Sequence, residues 1–554
     1  LHAAFGARER AGFFSRYTKQ VPVRSTQPLY SGILLLLLVL VVPAAPGNAQ
    51  EDAAEVSFRI RGFEVSGNSV LPEKAIYRTL EGHTGADMTA EDVETARDAL
   101  EGLYHENGYP TVLVNIPPQR VEDGLVRLEV IESRIRRVRV TGNRYFTMEK
   151  ILEALPSVRE GEILYVPEVR QELERLNRNP DFKVSPVLSP AREIGLVDVE
   201  LKVKDQFPLH GSLEVNNRNT HDTSDLRFNG MIRYDNLWQK EHSVSFQYQT
   251  APQKLDEVQV MAASYVLPTP WNPDHLLAFF GVVSESQTAF GEGFQVNGEG
   301  NLFGLRYVIP LAPQGDYNHN LTLGLDYKDF DETLGFETEG EEPQKTPLTY
   351  LPLSFSYSGS LPDRTGFTQF SGGIHLAFRN LVTDPEEFAI KRFRGRANYL
   401  YATLGAERTQ KLPAGFGLFA KVDGQIANGP LVSNEQYAAG GLESVRGYKE
   451  SEVFGDDALH GTVELSGPDM GELFGAGDAF GLTFYVFYDD AYLVTQDPLP
   501  DQADSARIRG TGAGARGRIA RHWTFQVDAA RALDQTDQVA EGDIEVYGRL
   551  KYAF

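Results

Sequence analysis

The sequence contains no cysteine. That excludes disulfides, thiolate metal sites and iron–sulfur chemistry, and it suits a chain that crosses an oxidising compartment unfolded. Positive charge is also scarce: 53 Lys and Arg stand against 77 Asp and Glu, a formal charge of −24. Phosphate binding needs a concentrated basic surface, so nucleic acid is excluded as a main ligand. Long apolar runs are missing too. Beyond residue 42 no stretch approaches 18 consecutive apolar residues, and mean hydropathy is −0.31. A polytopic helical membrane protein is therefore excluded, while a soluble periplasmic protein and a membrane β-barrel both remain. The histidines show no H-x-x-x-H spacing, and no metal or other cofactor is expected.

At the N-terminus Arg8, Arg10, Arg16, Lys19 and Arg24 precede an apolar run over residues 32–42 and a small-residue stretch ending at Gly47, Asn48 and Ala49. This is signal-peptide anatomy: the run is short for a membrane helix, and Gly47 and Ala49 supply small residues for cleavage. Residues 1–49 are assigned as a signal peptide and 50–55 as a short lead.

The next 150 residues contain a repeat. Residues 60–68 read I-R-G-F-E-V-S-G-N, and residues 135–143 read I-R-R-V-R-V-T-G-N, 75 positions later. Ile76 and Leu80 map onto Ile151 and Leu155, so a strand, a Gly-Asn turn and an amphipathic helix recur in order. A second helix follows in each unit. In the first, Thr89 caps it with Asp92 at capping-box distance, and Val93, Ala96, Leu100, Leu103 and Tyr104 form one stripe, ended by Asn107-Gly108. In the second, Val169, Leu173 and Leu176 form the stripe and Asn179-Pro180 stops the helix. Strands at 112–114 and 125–131, and at 184–188 and 197–203, close two β-α-α-β-β units, assigned to 56–132 and 133–206. With Gly108-Tyr109, Pro117-Pro118-Gln119 and an alternating segment from Val121 to Val130, the first unit resembles the polypeptide-transport-associated (POTRA) modules of outer-membrane translocases. A three-stranded sheet backed by two helices leaves a strand edge free, to which an unfolded client can add through main-chain hydrogen bonds.

From about residue 208 the texture becomes segments of roughly ten residues with period-2 alternation, the signature of a transmembrane barrel in contact with outer-membrane lipid. Val244, Phe246 and Tyr248 alternate with Ser243, Ser245 and Gln247; Leu321, Leu323, Leu325 and Tyr327 alternate with Thr322, Gly324 and Asp326; Leu351, Leu353, Phe355 and Tyr357 face away from Ser354, Ser356 and Ser358. The last segment places Ile544, Val546, Leu550, Tyr552 and the terminal Phe554 on one face. A terminal aromatic on such a strand resembles the signal by which the barrel-assembly machinery recognises its clients. Residues 207–554 are read as an antiparallel barrel of about sixteen strands. The fold class is thus two α+β modules followed by an all-β barrel.

Two motifs invite chemistry and are rejected. Residues 512–517 match G-x-G-x-x-G, but they alternate inside a strand-like segment with no helix after them, so a dinucleotide site is excluded and the glycines Gly512 and Gly514 instead clear space against the inner wall. Asp489-Asp490 lacks the third group of an acid–base site. No enzyme is expected. The segment Asn434 to Glu450, N-E-Q-Y-A-A-G-G-L-E-S-V-R-G-Y-K-E, follows neither the strand nor the helix period. It reads as a packed loop, 428–456, that carries one charge to a specific place.

In this order, signal peptide, two modules, barrel, V-R-G-Y loop and terminal Phe resemble the two-partner secretion transporter (TpsB) family, the haemolysin and filamentous-haemagglutinin exporters. The resemblance implies that Val445, Arg446, Gly447 and Tyr448 fold back into the lumen, where Arg446 meets an acidic residue of an F-x-D-x-G wall strand. Phe487 and Asp489 stand at that pattern, with Ala491 in place of its glycine. A buried guanidinium needs a carboxylate, so an Arg446–Asp489 pair is expected. The partner implied is a secreted exoprotein with an N-terminal secretion domain, captured in the periplasm by the modules, conducted unfolded and drawn out by its folding outside. Family members often carry an N-terminal plug helix; the few residues before Val56 predict none here. A barrel-assembly insertase of the same superfamily, with three or more modules, and a diffusion porin, with none, are the alternatives.

Overall fold

The computed structural model describes residues 57–554 except 222, 286–287, 292–293, 298, 335–343, 380 and 383. The signal peptide, the lead and the expected absence of a plug helix lie outside the described residues. Two units are present, residues 57–208 and 209–554.

In the first unit each repeat builds a three-stranded sheet with its central strand last in sequence. β1 (Gly62–Ser66) pairs in parallel with β3 (Leu125–Ile131), which pairs antiparallel with β2 (Leu113–Asn115). Helices α1 (Glu73–Leu80) and α2 (Ala90–Glu106) cover one face. The Thr89–Asp92 capping box forms reciprocally at the start of α2, satisfying two main-chain donors that the first turn would leave open. The second repeat has β4 (Arg134–Thr141), α3 (Met148–Glu153), α4 (Val166–Leu176), β5 (Phe182–Pro190) and β6 (Leu196–Asp205), again with β6 in the middle. Ile76, Leu80, Ile151 and Leu155 are all buried, as the repeat requires. Helix α4 stops at Leu176, ahead of Asn179-Pro180, because the amide of Asn177 turns to bond the backbone of Val184. A two-stranded ribbon, Phe58–Ile60 with Gly85–Met88, was not foreshadowed by any period.

The second unit is a closed antiparallel barrel. Segments Gln344–Tyr350 and Leu353–Pro362 lie end to end along β13 (Asn318–Leu334), interrupted at Leu351 and Pro352, and count as one strand, β14. Among the described residues the barrel therefore has sixteen strands, from β7 (Leu209–Asn216) to β22 (Ile544–Ala553). Closure comes from five residue pairs between β22 and β7, extended by reciprocal main-chain bonds between Gly211 and Phe554 at 3.0 and 3.1 Å.

Alternation sorts the wall. Leu213, Val215, Phe246, Phe303, Phe355, Leu404, Val463, Val486, Val546 and Leu550 are exposed on the outside, where only lipid makes such a surface stable. All three tryptophans, Trp238, Trp271 and Trp523, lie at turns on the end where the chain enters the barrel and all are exposed. That is the aromatic belt of a membrane interface. Connections on this entry end are mostly short. Those on the far end are longer, and the longest fully described one joins β17 (Gly417–Ala427) to β18 (Asp457–Ser466).

Candidate functional site: a latched loop in the barrel

Residues 428–456 leave the far end of β17 and pack against the inner wall. The loop is a ribbon: Tyr437–Ala439 pairs antiparallel with Val453–Gly455, and the segment between them forms the tip. Gly440, Gly441 and Gly447 sit at φ +116°, +100° and +106°, a region closed to residues with a Cβ without strain. At Gly441 that space holds the Glu450 carboxylate, and at Gly447 a Cβ would come 2.9 Å from the backbone nitrogen of Ala532.

Arg446 lies at the centre. Its Nε and Nη2 donate to the two oxygens of Asp489 at 2.8 and 2.9 Å, and its backbone N–H donates to Oδ2 at 3.1 Å. Asp489 belongs to β19 (Phe480–Val494) and is fully buried; Arg446 is 5% exposed. The guanidinium carbon sits 3.3 Å from the ring centroid of Phe487, two residues earlier on the same face. Nη1 is 3.6 Å from Glu464 on β18 and 3.9 Å from Asp528 on β21 (Trp523–Ala532). Three carboxylates thus surround Arg446, and one of them, Glu464, is shared with Arg516. Burial works against the charged guanidinium, but Asp489, Asp528 and Glu464 outweigh it and hold its pKa above the ordinary value.

The neighbours of Arg446 fix the backbone that carries it. Val445 and Tyr448 are fully buried with Ala491, Leu493, Ile508 and Ala532, so the Ala491 methyl, where the pattern has glycine, fills the contact between wall and loop. The Gly447 N–H donates to the Tyr547 hydroxyl at 2.9 Å, which donates in turn to the Tyr448 carbonyl at 2.5 Å. The Tyr448 hydroxyl lies 2.8 Å from the Asp534 carbonyl and 3.0 Å from that of Arg509.

Glycines of β20 (Ser505–Ile519) divide their work differently from the sequence expectation. A Cβ at Gly512 would overlap the Ala529 carbonyl and the Phe487 ring, and one at Gly514 would overlap Asp528 and Tyr485. These two admit the wall side chains that frame Arg446. The glycine pressed against the loop itself is Gly510, where a Cβ would overlap the Arg446 carbonyl oxygen.

The loop is held at other points that sequence reasoning missed. Glu450, buried, receives Arg218 Nε at 2.6 Å. Glu435 receives Lys328 Nζ of β13 at 2.5 Å, the Tyr350 hydroxyl at 2.6 Å and the Tyr401 hydroxyl at 2.8 Å. Burial alone would raise the Glu435 pKa; Lys328 and the two hydroxyls reverse this and hold it below the ordinary value. Leu431 and Val432 sit in an apolar cluster with Tyr350, Tyr399, Tyr401 and Phe388, the last from a short helix, α5 (Pro385–Lys391), in another far-end connection. Anchors on β13, β14, β18, β19, β21 and β22 show that the loop bridges the lumen from wall to wall. Polar inward positions occur along every barrel strand, so Glu464, Asp528 and Lys328 carried no distinguishing signal in sequence. Phe554 lies outside this site, its ring against Gly211 at the seam.

Comparisons place this geometry among known proteins. Residues 58–133 match the model of the POTRA domain, ShlB-type, and residues 195–517 match that of haemolysin secretion/activation protein ShlB/FhaC/HecB. The outer membrane transporter CdiB of Dickeya dadantii (strain 3937) is 21% identical over 507 residues, covering 87% of this chain and 84% of the relative. The heme/hemopexin transporter protein HuxB of Haemophilus influenzae (strain 86-028NP) is 20% identical over 468 residues, covering 82% and 80%. The solved structure of CdiB from Escherichia coli superposes with a TM-score of 0.61 at 19% identity, covering 92% of this chain and 93% of that one, and shares its fold.

Proposed function

From the premise that this chain belongs to the haemolysin secretion/activation protein ShlB/FhaC/HecB family, we propose how it works as the outer-membrane transporter of a two-partner secretion system. The barrel resides in the outer membrane and the POTRA modules in the periplasm. Its cargo is a partner exoprotein, captured unfolded by the modules through an N-terminal secretion domain and passed through the barrel to the cell surface. Its function is transport, and we assign it no catalytic step and no cofactor. Folding of the cargo outside supplies the drive, since the periplasm offers no nucleotide.

One observation carries this reading: a sixteen-strand barrel whose lumen is bridged by a loop latched through a buried Arg446–Asp489 pair. A barrel of this size is wide enough for an aqueous passage, and this loop is pinned across it by buried bonds to several strands. A conduit for a polypeptide must be shut at rest and opened for the cargo. In our reading Arg446 is the latch, Gly447 and Tyr448 set its backbone, Phe487 and Asp489 receive it, and Phe554 marks the strand for assembly. The test is co-expression with each large secreted protein of the same genome that carries an N-terminal secretion domain: the wild type exports one of them to the cell surface, and Arg446→Ala, with an assembled barrel, does not. Undiminished export by that variant overturns the role of the latch, and no export by the wild type overturns the transport assignment.

A further inference from the structure

The two modules offer four sheet edges, and the antiparallel edge of each is closed. On β5 the Asn177 side chain accepts from the N–H of Val184 at 2.7 Å and donates to its carbonyl at 3.0 Å. The main-chain groups of Val184 therefore point away from β6, and by alternation so do those of Phe182, Pro186, Leu188 and Pro190. Of these five residues one is capped by Asn177 and two, as prolines, have no N–H to donate. An extended peptide finds no continuous ladder there. In the first module β2 spans three residues, and the N–H of Val114 is taken by the Glu101 carboxylate at 2.9 Å.

The parallel edges differ from one another in charge. β1 carries a single charged residue, Glu64, which pairs with Arg127 at 3.5 Å. β4 carries Arg134, Arg136, Arg137 and Arg139 and no acid, in a chain whose net charge is −24. Its first turn of edge is covered, since Ile135 bonds through its N–H and carbonyl to Glu162 and Gly161 at 2.9 and 2.7 Å. From residue 136 to residue 140 no hydrogen bond leaves the outer side of the strand among the described residues. Val138 and Val140 pack on the module core, so Arg137 and Arg139 share the opposite face, in register with Asp198 and Glu200 of β6.

These two arginines have donors to spare. Asp198 is already held in a fork by Arg136 at 2.9 and 2.6 Å, which leaves Arg137 one contact at 3.2 Å and 52% side-chain exposure. Arg139 makes no ion pair among the described residues, and the Glu200 opposite it receives the Thr141 hydroxyl at 3.0 Å. Two guanidinium groups two residues apart, on one face, at an edge with free main-chain groups, are complementary to a strand with carboxylates at alternate positions.

We propose that β4 is the docking edge of the second module, and that it takes an extended acidic segment of the exported protein, with Asp or Glu at alternate positions, as an added strand beside residues 137–141. This rests on the reading that the modules receive the cargo. The chemistry divides the labour: main-chain bonds accept any extended sequence, and Arg137 and Arg139 select the acidic one and fix its register.

The test uses the full chain in nanodiscs and two fluorescent octapeptides, one alternating Glu and Val and one alternating Lys and Val. The acidic peptide should bind, weaken as salt rises, and protect from hydrogen exchange those amides of residues 137–141 that point away from β6. The doubly reversed variant Arg137→Glu/Arg139→Glu changes exposed side chains only and should bind it about tenfold more weakly while gaining affinity for the lysine peptide. Equal binding of both peptides, protection confined to another edge, or a charge-reversed variant that binds as the wild type does would each overturn the proposal. Export of the exoprotein identified by co-expression is scored separately. Wild-type export that the reversed variant matches rejects the docking edge and leaves the transporter standing, whereas absent wild-type export rejects the transport reading itself.

Discussion

Replacing Arg446 by alanine removes the cation that Asp489 and Asp528 face, while Glu464 keeps Arg516. Asp489 is fully buried and both its oxygens bond the guanidinium, so the substitution leaves an unpaired carboxylate in the wall, with Glu464 and Asp528 facing it. Breaking a buried pair from one side costs about 3–5 kcal/mol. At 1.4 kcal/mol per decade this shifts seating of the loop tip by roughly 10²- to 10⁴-fold. The barrel ladder does not include Arg446, so assembly should persist, read as a heat-modifiable band on gels. Arg446→Ala should raise conductance in planar bilayers and expose residues 440–450 to protease. Asp489→Asn should do less, because Glu464 and Asp528 remain as counter-charges. Arg446→Lys should fall between Arg446→Ala and the wild type, since a point charge cannot reproduce the fork or the stacking on Phe487. Wild-type conductance and protease resistance in Arg446→Ala would refute the latch.

Gly510→Val should unseat the loop as Arg446→Ala does, because its Cβ would overlap the Arg446 carbonyl; protease mapping of residues 440–450 checks this, and an unchanged pattern counts against the close approach. Phe388→Ala should cost about 3–5 kcal/mol of packing at the far mouth, loosen Leu431 and Val432, and raise the frequency of channel openings. The Glu435 carboxyl has a depressed pKa in the folded chain, so its contribution to seating is complete above the ordinary glutamate value of about 4.3 and is lost as pH falls through the depressed one. Conductance should therefore be flat from pH 7 to 5 and rise under stronger acid, and Glu435→Gln should flatten that rise.

The modules were legible because local rules agree with tertiary ones there: the Thr89–Asp92 box, the Ile76/Leu80 and Ile151/Leu155 stripes and the Gly-Asn turns each fix an element that the core then buries. The barrel was legible in class and strand number because lipid outside and water inside impose period 2 on every strand. The interruption of β14 at Leu351 and Pro352 was not, since alternation runs on across it. The contact of Arg446 with Asp489 could be expected because the family resemblance implies an F-x-D wall pattern, which Phe487 and Asp489 match, and a buried charge needs a counter-charge. Gly510 and Tyr547 could not, because which inward residue meets a loop depends on how far the loop descends, a quantity with no local signature. The arginines of β4 were read only as part of the repeat; their meaning came from the closure of β5 by Asn177 and two prolines, visible once the sheet order was known.

The most direct measurement is export in a purified system. Proteoliposomes carrying this chain alone are offered the unfolded exoprotein that co-expression identifies as its cargo, without nucleotide, and protease-protected product is counted. Protected product with the wild type, and none with an assembled Arg446→Ala variant, is the expected result. Product that appears only when nucleotide is supplied, or in equal amount with both chains, would contradict a latched, nucleotide-independent transporter.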